Sequence, residues 1–303
     1  MNTQINFLKK KFKNPLVLAS GIRGLTGANM AKVIRDGGGG VTSKSASLEA
    51  RTGHANPTMS GTEHYFINAV GFSNPGIGNV IEEIKTYKKL TNTPIIGSIF
   101  AGDIKGFGII AKKMDKAPID IMEVDISCPN VMQEFGEPLA FSAKAAAAVT
   151  KLVKKNTKKP ITVKLSPGAW NIAEIAVSCE KAGADAITAV NTMPSIMISA
   201  KASRPVLTNG IGGMSGPALK PIALRCVWQI AQAVKIPIIG TGGITTGEDA
   251  IEMMMAGASL VGVGTAFYYR GPKTMKLIND EIKQFMKEEG IKDLKSIIKK
   301  AHV

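Results

Sequence analysis

The sequence predicts a single-domain α/β protein spanning residues 1–303, a (β/α)8 TIM barrel with long loops after strands two and six. Three observations carry that expectation. Eight short, β-branched or glycine-rich runs recur along the 303 residues, with helical patterns between most of them. Glycine is plentiful at 32 residues while aromatics make up only 5%, which suits close packing and tight turns. Hydrophobic residues reach 45% against 20% charged, enough for a substantial core.

In chain order the runs are Leu16–Gly21, Gly40–Ser45, Pro94–Phe100, Ile121–Ser127, Ile161–Ser166, Ala186–Asn191, Ile238–Gly243 and Leu260–Phe267. The fourth opens on Ile121-Met122-Glu123-Val124, an apolar stretch that reads as a buried strand. It gives way to Asp125-Ile126-Ser127-Cys128-Pro129-Asn130. In the fifth, Lys164 alternates with Val163 and Leu165 and so points oppositely to them, toward the lumen. The helices are punctuated. Ile172 to Ala182 is followed by Gly183, Pro217 suits the first turn of a helix running to Val234, and Glu248 to Ala256 is followed by Gly257. A doubly wound open sheet would normally carry G-x-G-x-x-G after its first strand, and Ser20-Gly21-Ile22-Arg23-Gly24 is a poor match. The connections from Ala46 to about Gly78 and from Thr192 to Ser215 are too long for simple turns. Both leave the expected catalytic end, so they read as the lid and walls of a substrate site.

The formal charge is +15, which admits nucleic acid, an anionic cofactor or an acidic partner. The lysines are spread out, however. Lys9, Lys10, Lys11 and Lys13 lie near the start, and Lys151, Lys154, Lys155, Lys158 and Lys159 close a helix, where cations complement the dipole. Solvated faces are therefore expected, and nucleic acid is not an expected partner. Cys128, Cys179 and Cys226 are too few for a disulfide framework or a four-cysteine metal cluster, and no metal site is expected. Cys179 and Cys226 read as core. Residues Met1 to Pro15 hold no apolar stretch of signal-peptide length, and no uncharged apolar run approaches about 18 residues. A reducing cytoplasm without membrane contact is the expected location.

Two features point to chemistry. Strands seven and eight end in Gly240-Thr241-Gly242-Gly243-Ile244 and Val263-Gly264-Thr265-Ala266. In such barrels the loops after strands seven and eight often bind phosphate through backbone N–H groups, and glycine permits close approach. Many ligands carry phosphate; a flavin mononucleotide would lay its ring across the barrel mouth. The second feature is Cys128, a thiol at a strand end. An unperturbed thiol has a pKa of about 8.5, near enough to neutrality to serve as acid, base or nucleophile.

The motifs together resemble the class 1 dihydroorotate dehydrogenases, above all the NAD-linked class 1B branch. The resemblance runs from about Asn14 to Gly271. Its landmarks are Asn14–Gly21, Thr42-Ser43-Lys44, Asn68–Gly76, Ser127-Cys128-Pro129-Asn130, Val163-Lys164-Leu165, Asn191-Thr192 and Gly212–Ala218. It implies the FMN-bearing catalytic subunit, one FMN per chain, oxidising dihydroorotate to orotate in pyrimidine (UMP) biosynthesis. Ser20, Lys44, Ser45, Ser98, Asp125, Lys164, Val190, Gly216, Gly242, Gly243, Gly264 and Thr265 would then hold the flavin. Lys44, Asn68, Ala69, Val70, Gly71, Phe72, Asp125, Asn130, Asn191 and Thr192 would hold the substrate. Cys128 would be the base that takes a proton from C5 while C6 delivers hydride to flavin N5. Lysine near the ring can stabilise its reduced form. The amides of Asn68, Asn130 and Asn191 both donate and accept, which suits a pyrimidine edge.

The resemblance also implies an electron-transfer partner subunit carrying FAD and a [2Fe–2S] cluster, with this chain forming a homodimer inside a heterotetramer. Two positions depart from the pattern. The family usually has asparagine where this chain has Asp125, and class 1B members usually have asparagine at Ser98. An ionised Asp125 only accepts hydrogen bonds and would repel a substrate carboxylate, an effect that pairing with Lys44 is expected to offset. Competing readings are a tRNA dihydrouridine synthase, a dihydropyrimidine dehydrogenase-like flavoenzyme, and a basic barrel acting as a non-enzymatic binding scaffold. His54, in the long loop after strand two, reads as an inert loop residue ahead of a substrate contact.

Overall fold

Eight parallel strands close on themselves in the order in which the chain supplies them. They are β1 (Leu16–Leu18), β2 (Gly40–Thr42), β3 (Ile95–Ile99), β4 (Ile121–Asp125), β5 (Ile161–Leu165), β6 (Ala186–Ala189), β7 (Ile238–Thr241) and β8 (Leu260–Val263). This computed structural model describes residues 1–127 and 139–302. Each expected run contributes one strand. The observed strands are shorter than the runs, because the final residues of each run turn outward into the loops at the carboxyl end.

Residues of β3, β4 and β5 are buried throughout, as expected of strands covered by helices outside and by packed side chains within. Outside lie α1 (Gly27–Arg35), α2 (Gly76–Leu90), α3 (Ile104–Met114), α4 (Ala143–Asn156), α5 (Ile172–Lys181), α6 (Lys220–Ala233), α7 (Gly247–Met255), α8 (Ala266–Arg270) and α9 (Thr274–Glu288). Their starts follow side-chain chemistry. Thr26, Asp103, Ser142 and Thr246 each accept an N–H of the first turn that would otherwise lack a partner. Gly183 and Gly257 follow α5 and α7 at φ +103° and +123°, as their punctuation predicts. Pro217 differs from expectation. It opens a separate 3₁₀ turn, Pro217–Leu219, and Pro221 occupies the first turn of α6.

Two additions frame the barrel. At its amino end an antiparallel hairpin, Ile5–Phe7 with Lys10–Phe12, turns on Leu8 and Lys9, both at positive φ. Phe7 and Phe12 are buried edge to face at 6.2 Å, and the Phe12 ring abuts Gly40 at the start of β2. At the carboxyl end the two long loops meet. Met59–Gly61, Phe66–Asn68, Ile211–Ser215 and Met193–Ile196 form one antiparallel sheet in the order 193–196, 211–215, 66–68, 59–61. The loop after β2 and the loop after β6 are thus one roof. Its register depends on Gly213, where a Cβ would overlap the Thr192 side chain. Among the described residues no helix is long and apolar enough to cross a membrane.

Candidate active site

A cleft of about 450 Å³ lies between the carboxyl ends of the strands and the roof. That volume is in the range of small-molecule sites, about 300–1,000 Å³. Its walls include Ser20, Lys44, Ser45, Asn68, Val70, Gly71, Phe72, Asp125, Lys164, Val190, Asn191, Thr192, Gly216, Gly242, Gly243, Gly264 and Thr265. Residues scattered over most of the sequence therefore converge, and nearly all of those expected at a site are present. Cys128 and Asn130 lie outside the described residues.

One end of the cleft is built from glycine. Gly242 and Gly243 follow β7 at φ +127° and +75°, and a Cβ on Gly243 would fall on the backbone of Lys220. Thr265 donates its hydroxyl to Ser215 at 2.7 Å. Gly216 sits beside the Tyr269 hydroxyl, which is buried and has no hydrogen-bond partner among the described residues. Behind this end, Asp249 ties the loop down by accepting from Lys220 Nζ, from the N–H and hydroxyl of Thr245 and from Thr246 N–H. Burial alone would raise the Asp249 carboxyl, but these donors outweigh it and hold it below the ordinary range.

The floor is polar. Asp125 is buried; its Oδ1 accepts from Ser127 N–H and Oγ at 3.2 and 2.9 Å and from Asn191 Nδ2 at 3.4 Å. Asn191 Nδ2 also donates to Ser127 Oγ at 3.1 Å. Lys164 Nζ, from the next strand, stands 4.0 Å from Asp125 Oδ2. The two face each other because Asp125 and Lys164 are in register across β4 and β5. Hydroxyls run down from the cleft wall. Ser20 and Ser45 are 3.0 Å apart, Ser45 and Ser98 2.9 Å, and Ser98 Oγ lies 3.1 Å from Glu123 Oε1.

At the roof end Asn68 donates to the Gly213 carbonyl at 3.3 Å. Gly71 and Phe72 both adopt positive φ, and the Phe72 ring stacks on Phe100 at 3.7 Å. Lys44 Nζ lies over the Phe72 ring at 6.0 Å. Thr192 N–H donates to Asn191 Oδ1 at 2.7 Å. Asn74 shapes the loop behind Phe72 through bonds to Ser47, Phe72 and Gly76.

Two expected contacts sit off the cleft wall. Ser98 is fully buried, one hydroxyl beneath Ser45, because β3 places it inside the lumen. Ala69 is fully buried, and its carbonyl faces His54 Nδ1 at 3.1 Å. His54 also packs against Gly71, so it braces the loop. Several wall residues escaped the sequence reading, among them Arg23, Phe66, Ser215 and Tyr268. Arg23 carries its charge at the rim, 5.6 Å above the Phe267 ring. Glu123 was missed too, although the alternation that aims Lys164 inward also puts Glu123 on the lumen face with Asp125.

The profile of the dihydroorotate dehydrogenase family matches residues 2–286. The chain is 41% identical over 295 residues to a protein of Pyrococcus abyssi named "Dihydroorotate dehydrogenase B (NAD(+)), catalytic subunit", covering 97% of each. It is 42% identical over 295 residues to a protein of the same name from Methanocaldococcus jannaschii, covering 96% of this chain and 95% of the relative. A third, from Geotalea uraniireducens, is 41% identical over 290 residues, 95% of this chain and 94% of the relative.

Proposed function

The chain belongs to the dihydroorotate dehydrogenase family, and from that premise we propose that it oxidises dihydroorotate to orotate for pyrimidine biosynthesis. The observation that carries the proposal is the convergence of Ser20, Lys44, Asn68–Phe72, Lys164, Asn191 and Thr192 with two glycine-rich loops on one cleft.

The cleft suits FMN. Gly242, Gly243 and Gly264 line the cleft at the strand-seven and strand-eight ends, where such barrels commonly hold a phosphate, and the Tyr269 hydroxyl, without a partner among the described residues, lies at Gly216. Ser20, Lys44, Ser45, Lys164 and Val190 would hold the ring system. Bound FMN supplies the two-electron acceptor for the hydride at C6. The chain supplies the rest. Lys44 and Lys164 offset negative charge on substrate and cofactor. Asn68 and Asn191 address the pyrimidine edge, with Val70 to Phe72 closing over it. Cys128, which follows Ser127 of the floor in sequence, would take the proton from C5 as a thiolate. The names of the relatives speak of a catalytic subunit, so an FAD- and [2Fe–2S]-bearing partner passing electrons to NAD⁺ fits this reading.

The test is anaerobic reduction of the purified protein's flavin by dihydroorotate and dihydrouracil side by side. Bleaching by dihydroorotate alone is expected. Bleaching by dihydrouracil alone, or a colourless protein that cannot be reconstituted with FMN, would refute the proposal. Cys128→Ala is expected to keep its flavin and lose about 10²–10⁴-fold in the rate of that bleaching.

A further inference from the structure

Beneath the cleft floor lies a carboxyl group for which the proposed chemistry has no use. Glu123 is 3% exposed, on the lumen face of β4. The charged groups facing it are Lys164 on β5 and Asp125 on its own strand; its hydrogen-bonding neighbours are Ser98 on β3 and Thr188 on β6. Ser98 begins the hydroxyl series that ends at the cleft wall.

That series fixes a hydrogen count. It contains four contacts: Glu123 to Ser98 at 3.1 Å, Ser98 to Ser45 at 2.9 Å, Ser45 to Ser20 at 3.0 Å, and Ser20 to the Ser43 carbonyl at 2.9 Å. Each contact needs one hydrogen, and three serines provide three. A carbonyl at one end and a carboxylate at the other would both only accept. With Glu123 ionised, one contact must then go without a hydrogen. With Glu123 protonated, every contact is filled in a single direction, from Glu123 through Ser98, Ser45 and Ser20 to the carbonyl. Ser45 also lies 3.5 Å from Asp125 Oδ2, the longest of these contacts; counting it leaves two contacts without a hydrogen when Glu123 is ionised and one, this longest, when Glu123 is protonated.

We infer that Glu123 is a neutral carboxylic acid at neutral pH and acts as a positioning residue, donating to Ser98 and so fixing the direction of the hydroxyl series that reaches the cleft. Burial above all, with the neighbouring Asp125, pushes the Glu123 carboxyl up, against the pull of Lys164 and of the Ser98 and Thr188 hydroxyls. The consequence is electrostatic. Among the described residues Glu123 and Asp125 face Lys164, and a neutral Glu123 adds no negative charge beneath the place where a reduced flavin would gather it. This last step rests on the proposed flavin function; the proton on Glu123 does not.

Infrared spectroscopy of the apoprotein and the flavin-bound protein in ordinary and heavy water tests it. A protonated-carboxyl band at neutral pH is expected in the wild type, lost in Glu123→Gln and shifted in Ser98→Ala, which removes its acceptor. Absence of the band, or its survival in Glu123→Gln, overturns the inference. If Glu123→Gln does not fold, the Ser98→Ala shift decides, and no shift overturns it. Redox titration of the holoprotein provides the second measurement. Glu123→Gln, a neutral replacement of a neutral acid, is expected to leave the flavin midpoint potential unchanged. A raised potential, the signature of removing a buried anion, would overturn it. Failure to bind flavin would defeat the proposed function while leaving the infrared result decisive.

Discussion

Asp125 is held by Ser127 and Asn191 and stands 4.0 Å from Lys164, so its charge has a local counterpart. Asparagine at that position keeps an acceptor for Ser127 and adds a donor toward the cleft. Asp125→Asn is therefore expected to retain flavin and to oxidise dihydroorotate at an equal or higher rate; flavin-bound protein with no turnover would show that the acid is required. Arg23 is the cation at the cleft rim that the sequence reading passed over. A charge-assisted contact to phosphate is worth about 1.5–3 kcal/mol. Arg23→Ala should weaken FMN about 10–100-fold and leave riboflavin, which lacks phosphate, nearly unaffected in a fluorescence titration. At this scale the sequence was most legible where residue type and chain position agreed, as at Lys44, Lys164 and Asn191. It was least legible where a role depends on a neighbour in space. Ser98 meets Glu123 because β3 and β4 are in register, which no local pattern announces.

Among the elements, α7 carries a measurable share of the site's order. Its capping box joins Thr246 and Asp249, and Asp249 also holds Lys220 at the start of α6. Asp249→Ala should cost about 2 kcal/mol in chemical denaturation and loosen the Gly242–Gly243 loop. The acid dependence has a defined sign. The Asp249 carboxyl is held below 3.8, so its contribution is complete above that pH and is lost as pH falls through the lower folded-state value. The stability gap between wild type and Asp249→Asn should therefore narrow below about pH 3.8. The eight barrel strands were readable because short β-branched or glycine-rich runs, five of them ending in glycine or serine, have few alternative fates. The amino-terminal hairpin was not, since Leu8 and Lys9 take a turn conformation that usually selects asparagine and glycine. The roof was read only as two long loops. Its pairing, Gly213 with Asn68, joins strands separated by most of the barrel.

On the scale of the whole molecule, the cleft draws on the ends of β1, β2, β4, β5, β6, β7 and β8 together. A ligand that bridges these ends binds only the folded state, so it should stabilise the entire barrel. FMN at one hundred times its Kd is expected to add about 2.7 kcal/mol, raising Tm by several degrees in a calorimetric scan. The +15 charge gives the protein a field that draws anions. The KM for the carboxylate substrate should accordingly rise with ionic strength, read by steady-state kinetics at graded salt. The roof has a separate consequence for how such a protein can be altered. The segments Met59–Asn68 and Met193–Ser215 wall the cleft from above, through Met59, Phe66, Asn68 and Ser215, while the glycine loops line it at the barrel rim. Because each roof segment supplies the other's hydrogen-bonding partner, neither can be exchanged alone without losing register. Transplanted together, they form a cassette: two distant insertions that behave as a single replaceable part, able to change what is recognised while the cofactor's seat stays where it is.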